Sequence, residues 1–164
     1  MKFNTKTVHK GQKPEKLYGS VSLPIYQTST FKQNEIGEYI YDYSRAGNPT
    51  RSSLEENVCS LENGKDAVAF SSGLSAITSI VQLFSSGDHM IFTDNVYGGT
   101  FRLLDTIMKK YNIEQSWVDT SSLDQVASAI KNKTKLIFIE SPTNPMMTLS
   151  DIKAICNIAH EKNI

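Results

Sequence analysis

The sequence predicts an α/β protein in which a mostly parallel sheet is covered by helices on both faces and preceded by an irregular amino-terminal arm. Two observations support this fold class. From Ser52 onward, short apolar runs alternate with segments whose apolar residues recur every three or four positions. The first 50 residues are instead rich in tyrosine and hydroxyl side chains and show no helical period. Strands that alternate with amphipathic helices are typical of parallel sheets, because each crossover places a helix on a sheet face.

The chain is therefore expected to have two parts, an arm at residues 1–50 and an α/β domain at residues 51–164. The arm contains Pro14, Pro24 and Pro49, which disfavour a long regular helix. Its apolar stretch, residues 21–31, is expected to pack on a neighbouring surface, such as that of another subunit.

The first helix of the domain is predicted to begin at Ser52. Ser52 and Glu55 have the spacing of a capping box, in which each side chain binds the backbone N–H of the other residue. One helical face then carries three apolar residues, Leu54, Val58 and Leu61. Gly64 stands where a glycine commonly ends a helix, and the apolar residues 67–70 that follow are predicted to form a buried strand.

Three further strands and four helices complete the predicted domain. The strands are the apolar runs at 90–93 and 136–139 and the segment 113–118. The helices are marked by apolar residues at helical spacing within 74–84, 101–111, 123–130 and 152–159. Parallel sheets bind ligands outside the carboxyl ends of their strands, so the loops of interest begin near Ser71, Asp94, Asp119 and Glu140.

Composition and charge exclude several classes of protein. The 164 residues include 17 Lys plus Arg and 17 Asp plus Glu, and the resulting net charge of zero argues against a nucleic-acid binder. A hydrophobic fraction of 39% excludes a disordered chain, and no apolar run approaches the roughly 20 residues of a membrane span. Cys59 and Cys156 are too few for a disulfide framework, and the histidines lack metal-site spacing, so no metal is expected. A cytoplasmic protein is expected.

The loop at 71–74, Ser-Ser-Gly-Leu, joins a predicted strand to a predicted helix. Its small residues leave backbone amides accessible at the positive end of the helix, where a phosphate binds well. Serine is also a common capping residue and glycine a common turn residue, so this loop alone fits an ordinary turn equally well. The sequence contains neither a Walker-type loop nor the glycine pattern of a dinucleotide fold.

Two further loops follow predicted strands. Tyr97 precedes two glycines, and its ring is suited either to cover a planar cofactor or to pack on the sheet edge. Residues 140–145, Glu-Ser-Pro-Thr-Asn-Pro, follow the most apolar run. The prolines stiffen that loop, which favours a ligand-binding role for Glu140 and Asn144 over a plain turn.

The four motifs at 43–50, 72–77, 94–100 and 140–145, taken in order, resemble the pyridoxal-phosphate (PLP) enzymes of cysteine and methionine metabolism, the trans-sulfuration family. That family includes cystathionine γ-synthase, the cystathionine β- and γ-lyases, methionine γ-lyase and O-acetylhomoserine sulfhydrylase. Each motif is weak alone, and a single arginine such as Arg45 in a loop is commonly just solvated. The four together are highly specific, and the resemblance implies part of the large domain of a fold-type I PLP enzyme.

The resemblance implies a role for each matched residue. PLP would be held by Tyr43, Arg45, Ser72, Gly73, Leu74, Tyr97 and Asn144. Tyr43 and Arg45 would reach the cofactor from a neighbouring subunit, which implies a homodimer or homotetramer. Tyr97 would also be the catalytic residue that handles protons. The amino-acid substrate would meet Arg102, Glu140 and Asn144.

The family's Schiff-base lysine and the acid on the cofactor's ring nitrogen lie beyond the segment matched here. Thr134-Lys135 resembles the sequence context of the family's lysine, and Asp94-Asn95 resembles that of the acid. Both pairs belong to other structural elements. We therefore expect the amino-terminal portion of an enzyme, inactive by itself. The implied reaction is elimination or replacement at Cβ or Cγ of a sulfur amino acid, lyase-like, with γ-synthase or sulfhydrylase activity as the alternative. A non-catalytic module that binds a phosphate ligand or a partner is the alternative of another class.

Overall fold

Three parallel strands form the centre of the carboxy-terminal part of the chain. β1 (His89–Thr93) lies between β2 (Glu114–Val118) and β3 (Thr134–Phe138). The computed structural model describes residues 1–164, which divide into two units, Met1–Phe70 and Ser71–Ile164. All of β1 is buried, as expected for a central strand covered on both faces. The predicted parallel α/β class is confirmed.

Four helical segments surround this sheet. They are α3 (Gly73–Val81), α4 (Gly98–Arg102), α5 (Leu123–Ala129) and α6 (Ile152–Glu161). α4 continues without a break as a π-helix over Leu103–Ile107 and a 3₁₀-helix over Met108–Tyr111. The predicted helices are therefore present, although α3 ends at Val81, before the predicted residue 84, and Gly87 takes a positive φ of 88° in the turn before β1. None of the helices is both long enough and apolar enough to cross a membrane.

The larger core lies on the sheet face that carries Met90 and Phe92. The buried residues packed together there are Val81, Met90, Phe92, Leu103, Leu104, Met108 and Ile113. Phe92 stacks on Trp117, its register partner in β2, with ring centroids 5.0 Å apart. Alternation along β1 directs Ile91 to the other face, and Ile91 is fully buried, as are Val126 of α5 and Ile155 of α6.

At the amino-terminal end of the strands, His89 of β1 contacts both neighbouring strands. Its Nδ1 lies 2.7 Å from Thr134 Oγ1 in β3, and its Nε2 lies 2.8 Å from Ser116 Oγ in β2. The imidazole is fully buried, and this burial, aided by the nearby Lys131 and opposed by Glu114, lowers the pKa of His89 from its usual 6.5. The neutral ring therefore serves as a cross-strand hydrogen-bonding residue.

The amino-terminal unit contains two helices, α1 (Phe3–His9) and α2 (Pro49–Leu61). The sequence reading missed α1, which is short and has no buried residue. It is held on α2 by polar contacts, because Asn57 Nδ2 donates to the carbonyls of Lys6 and Lys10. Residues 10–48 contain no helix or strand, in agreement with the prediction of an irregular arm.

The predicted capping box at Ser52 is wrong. α2 begins at Pro49, and Asn48 is its N-cap, with Oδ1 accepting from the Thr50 backbone N–H at 2.8 Å. Asparagine followed by proline starts the helix at an earlier residue. The asparagine side chain accepts a first-turn N–H, and proline at the first helical position loses no hydrogen bond. At the other end, Asn63 rather than Gly64 adopts the left-handed conformation, with φ 51°.

Residues 67–70 do not form the predicted strand. Val68 is 69% exposed and Phe70 45% exposed, and neither residue pairs with a strand. The Ala69 backbone N–H donates instead to Glu55 Oε1 at 2.9 Å. Apolar composition alone therefore misidentified burial at this place.

Candidate active site

The carboxyl ends of the three strands meet at one edge, where hydroxyl groups connect the loops that follow them. Thr93, the last residue of β1, lies with its Oγ1 3.0 Å from Thr120 Oγ1, and Thr120 Oγ1 lies 2.7 Å from Ser150 Oγ. The Glu140 backbone N–H donates to Thr93 Oγ1 at 3.2 Å. Thr93 and Thr120 are each only 1% exposed, so these contacts are made away from water. The hydroxyl chain ties the loops after β1, β2 and β3 together.

Glu140 connects the two loops that carry the remaining predicted residues. Its Oε2 accepts from the Tyr97 backbone N–H at 3.0 Å, and its Oε1 accepts from the Asn144 backbone N–H at 3.0 Å. The structure therefore brings Tyr97, Glu140 and Asn144 together. The Asn144 side chain is exposed and makes no hydrogen bond within the chain, so its amide is available to a ligand.

The Tyr97 ring lies against Gly99 and is 53% exposed on its other side. A Cβ at Gly99 would lie 3.1 Å from Tyr97 Cδ1 and would collide with the ring, so glycine is needed there for the ring to lie flat. Arg102 lies one turn further along, with Nη1 3.4 Å from the position of a Cβ at Gly98. Its guanidinium forms no ion pair and faces solvent on the same helical segment.

Ser72, Gly73 and Leu74 form the start of α3. The Ser72 side chain is the N-cap and accepts from the Ser75 backbone N–H at 3.1 Å. The backbone N–H groups of Gly73 and Leu74 have no acceptor within the chain, as is normal for the first turn of a helix. A Cβ at Gly73 would meet nothing within 4 Å, so these amides are open to a ligand. The predicted amide-bearing loop is present.

In the amino-terminal unit, Tyr43 and Arg45 form an exposed pair. The Arg45 guanidinium carbon lies 4.8 Å from the centre of the Tyr43 ring, a cation–π contact. Arg51 shapes the loop that carries them, because its guanidinium donates to the carbonyls of Arg45 at 3.2 Å and Ala46 at 2.7 Å. Arg51 also forms an ion pair with Glu55 at 3.3 Å. Arg45 itself forms no ion pair.

Sequence reasoning did not identify Thr93, Thr120, Ser150 or Arg51 as site residues. Threonine at the end of the apolar run 90–92 was the available signal for Thr93, because a buried hydroxyl needs a hydrogen-bond partner. No sequence pattern indicated a role for Arg51, because the loop conformation decides which carbonyls its guanidinium can reach. The ligand-binding roles of the predicted residues remain predictions.

Comparison with known proteins finds relatives of this chain among enzymes that act on cystathionine. A cystathionine β-lyase of Lactococcus lactis subsp. cremoris (strain MG1363) is 51% identical over 96% of this chain and 42% of its own length. A cystathionine γ-lyase of Bacillus subtilis (strain 168) is 46% identical over 100% of this chain and 44% of its own length.

Among solved structures, cystathionine γ-lyase from Lactobacillus plantarum complexed with L-serine matches with a TM-score of 0.93 and 44% identity, over 100% of this chain and 43% of that one. The chain thus spans less than half the length of these relatives. The model of the family described as Cys/Met metabolism PLP-dependent enzymes matches residues 4–164, and the chain belongs to that family.

Proposed function

We propose that the protein containing this chain is a PLP-dependent carbon–sulfur lyase that eliminates at Cβ or Cγ of a sulfur amino acid. The lyase branch is favoured because relatives named lyases reach 51% and 46% identity, whereas those named γ-synthases reach 43% and 40%. The γ-synthase or sulfhydrylase reaction, replacement at Cγ, is the second candidate.

The observation that carries the proposal is the pair of unpartnered amides at Gly73 and Leu74, at the start of a nine-residue helix. The positive end of such a helix favours a dianionic phosphate, and the missing Cβ at Gly73 leaves room for it to approach. The half-exposed ring of Tyr97 suits a planar aromatic group. These residues fit PLP, which has both features.

When bound, PLP withdraws electrons from the substrate Cα–H bond. We assign the phosphate to the Ser72 hydroxyl and the amides of Gly73 and Leu74. The Tyr97 ring covers the cofactor, and its hydroxyl holds or moves a proton at the substrate amine. The Asn144 amide donates to the cofactor's ring hydroxyl or to the substrate carboxylate. Arg102 supplies a positive charge for that carboxylate, and Glu140 lies beside Asn144.

The proposal includes a homo-oligomer, a dimer or tetramer, in which Tyr43 and Arg45 reach the phosphate of an adjacent subunit. The support is that Arg45 is exposed and has no acidic partner in its own chain, so its charge is free for a ligand. A cytoplasmic location, without nucleic-acid or membrane partners, completes the proposal.

Product analysis tests this proposal. The protein, in the longest form that its gene encodes, is loaded with PLP and given cystathionine, whose sulfur joins a three-carbon to a four-carbon amino acid. With uptake of water, cleavage at Cβ releases homocysteine, pyruvate and ammonia, and cleavage at Cγ releases cysteine, 2-oxobutyrate and ammonia. Either set of products supports the lyase. Formation of cystathionine from an O-acylhomoserine and cysteine, without cleavage, would favour the second candidate, and no reaction with either substrate would refute the proposal.

A further inference from the structure

Glu140 has its carboxylate turned onto two backbone N–H groups of the protein. We infer that Glu140 is a positioning residue, which fixes the Tyr97 and Asn144 loops relative to each other and does not itself bind the substrate. The inference rests on the proposed function only for the roles of Tyr97 and Asn144. The connection between the loops is a property of the chain alone.

The connection depends on both carboxylate oxygens. The Tyr97 N–H is shared between Oε2 at 3.0 Å and Oε1 at 3.2 Å, and Oε1 also accepts from the Asn144 N–H at 3.0 Å. Hydrogen bonds to an ionised acceptor are roughly twice as strong as neutral ones. No other hydrogen bond joins residues 94–97 to residues 141–145. Removing the carboxylate would therefore release the two loops from each other.

The backbone on either side of Glu140 is itself anchored. Its N–H donates to the buried Thr93 hydroxyl, and the next residue, Ser141, accepts with its Oγ from the Ser150 backbone N–H at 3.0 Å. The hydroxyl chain from Thr93 through Thr120 to Ser150 closes this arrangement. Because this anchor lies at the carboxyl end of the strands, Glu140 relates the position of the sheet to two exposed residues, Tyr97 and Asn144.

Charge gives a second reason for this assignment. A free carboxylate beside a bound amino acid would repel the substrate carboxylate, which the site must instead attract through Arg102 and Asn144. Turned onto N–H groups, the Glu140 carboxylate is stabilised by donors of the protein instead of facing the ligand. The same residue thus supports the binding groups without opposing the ligand.

The test uses three variants of the protein in the absence of cofactor and substrate. Glu140→Gln replaces one acceptor by a donor, and Glu140→Asp keeps the charge but is one methylene too short to reach both loops. Glu161→Gln, at an exposed position of α6, makes the same change of charge elsewhere. Site-resolved amide hydrogen exchange is measured at Tyr97 and Asn144, with the buried Ile91 in β1 as the control for folding.

We expect exchange at Tyr97, Asn144 or both to accelerate about 10- to 100-fold in Glu140→Gln and at one of them in Glu140→Asp, while Ile91 and the Glu161→Gln variant are unchanged. Unchanged exchange at both amides in Glu140→Gln would overturn the inference.

Kinetics in the PLP-loaded protein separate the two roles of Glu140. A positioning residue should lower kcat at least 10-fold while KM changes less than about threefold, since the substrate contacts are intact but misaligned. A rise in KM with kcat retained would assign Glu140 to the substrate and overturn the inference. If the unsubstituted protein lacks activity, the proposed function fails, and the exchange measurement still decides whether Glu140 connects the loops.

Discussion

The Tyr97 ring lies directly on Gly99, in the space that a side chain at position 99 would occupy. Gly99→Ala should therefore push the ring away from its present position, although alanine favours the helix by up to about 1 kcal/mol. If the ring covers the cofactor, PLP affinity should fall about 2- to 10-fold without loss of thermal stability. The matched control is Gly98→Ala, whose Cβ would meet only the flexible end of Arg102 at 3.4 Å. Equal PLP affinity in both variants would contradict this prediction.

The ring and the hydroxyl of Tyr97 can be separated by substitution. Tyr97→Phe keeps the ring and the backbone N–H that Glu140 binds, so PLP affinity should barely change. Loss of the proton-transferring group should lower kcat by about 10²–10⁴. Tyr97→Ala removes both contributions, and cofactor dissociation should accelerate as well. A fully active Phe variant would refute the proton-transfer role and leave Tyr97 as a packing residue of the sheet edge.

The start of α3 offers a test of phosphate binding at one position. Gly73→Ala keeps the backbone N–H, whereas Gly73→Pro removes it and still suits the first position of a helix, as Pro49 does in α2. Ser72, which precedes it, is already extended with φ −155° and ψ 157°, as a residue before proline prefers. PLP should bind roughly 10-fold more weakly to the Pro variant than to the Ala variant. Equal dissociation constants would remove this amide from the phosphate site.

His89 makes stability depend on pH through its buried, neutral ring. Because burial lowers the pKa of His89 below 6.5, the unfolded chain takes up a proton at this residue at higher pH than the folded chain does. The stability contributed by the neutral form is full above about pH 6.5 and decreases as the pH falls toward the lowered pKa. Thermal unfolding between about pH 7.5 and about pH 5.5 should show this loss, and His89→Gln should reduce the slope. His160→Gln, at an exposed position, should leave it unchanged.

Three of the four predicted strands are present, and the helices that cover them were predicted because their apolar spacing is a local pattern. Prediction failed where two local signals compete. Ser52 and Glu55 have the spacing of a capping box, yet Asn48 and Pro49 start α2 one turn earlier, and Glu55 is left to bind Arg51. Residues 67–70 are apolar but have no sheet partner in the chain, and partner strands are not visible in local composition.

The site was predictable at the level of loops but not of side-chain directions. Parallel strands place the loops after β1 and β3 at one edge, so the meeting of Tyr97 with Glu140 and Asn144 followed from topology. That the Glu140 carboxylate turns onto backbone N–H groups depends on loop conformations that no spacing encodes. His89 was likewise invisible, since its partners Thr134 and Ser116 lie on two other strands.

The last prediction concerns the sharing of sites between subunits. Arg45 and Tyr97 are proposed to contribute to the same site from different subunits, so neither Arg45→Ala nor Tyr97→Phe alone should form an intact site in its own homo-oligomer. When the two variants are unfolded, mixed and refolded together as dimers, half of the dimers are hybrids with one intact site each. Activity should then recover to about one quarter of that of the unsubstituted protein. Refolding each variant with itself is the control. If hybrids form, as followed by a mass difference between the subunits, and activity does not recover, Arg45 acts within its own subunit or not at all.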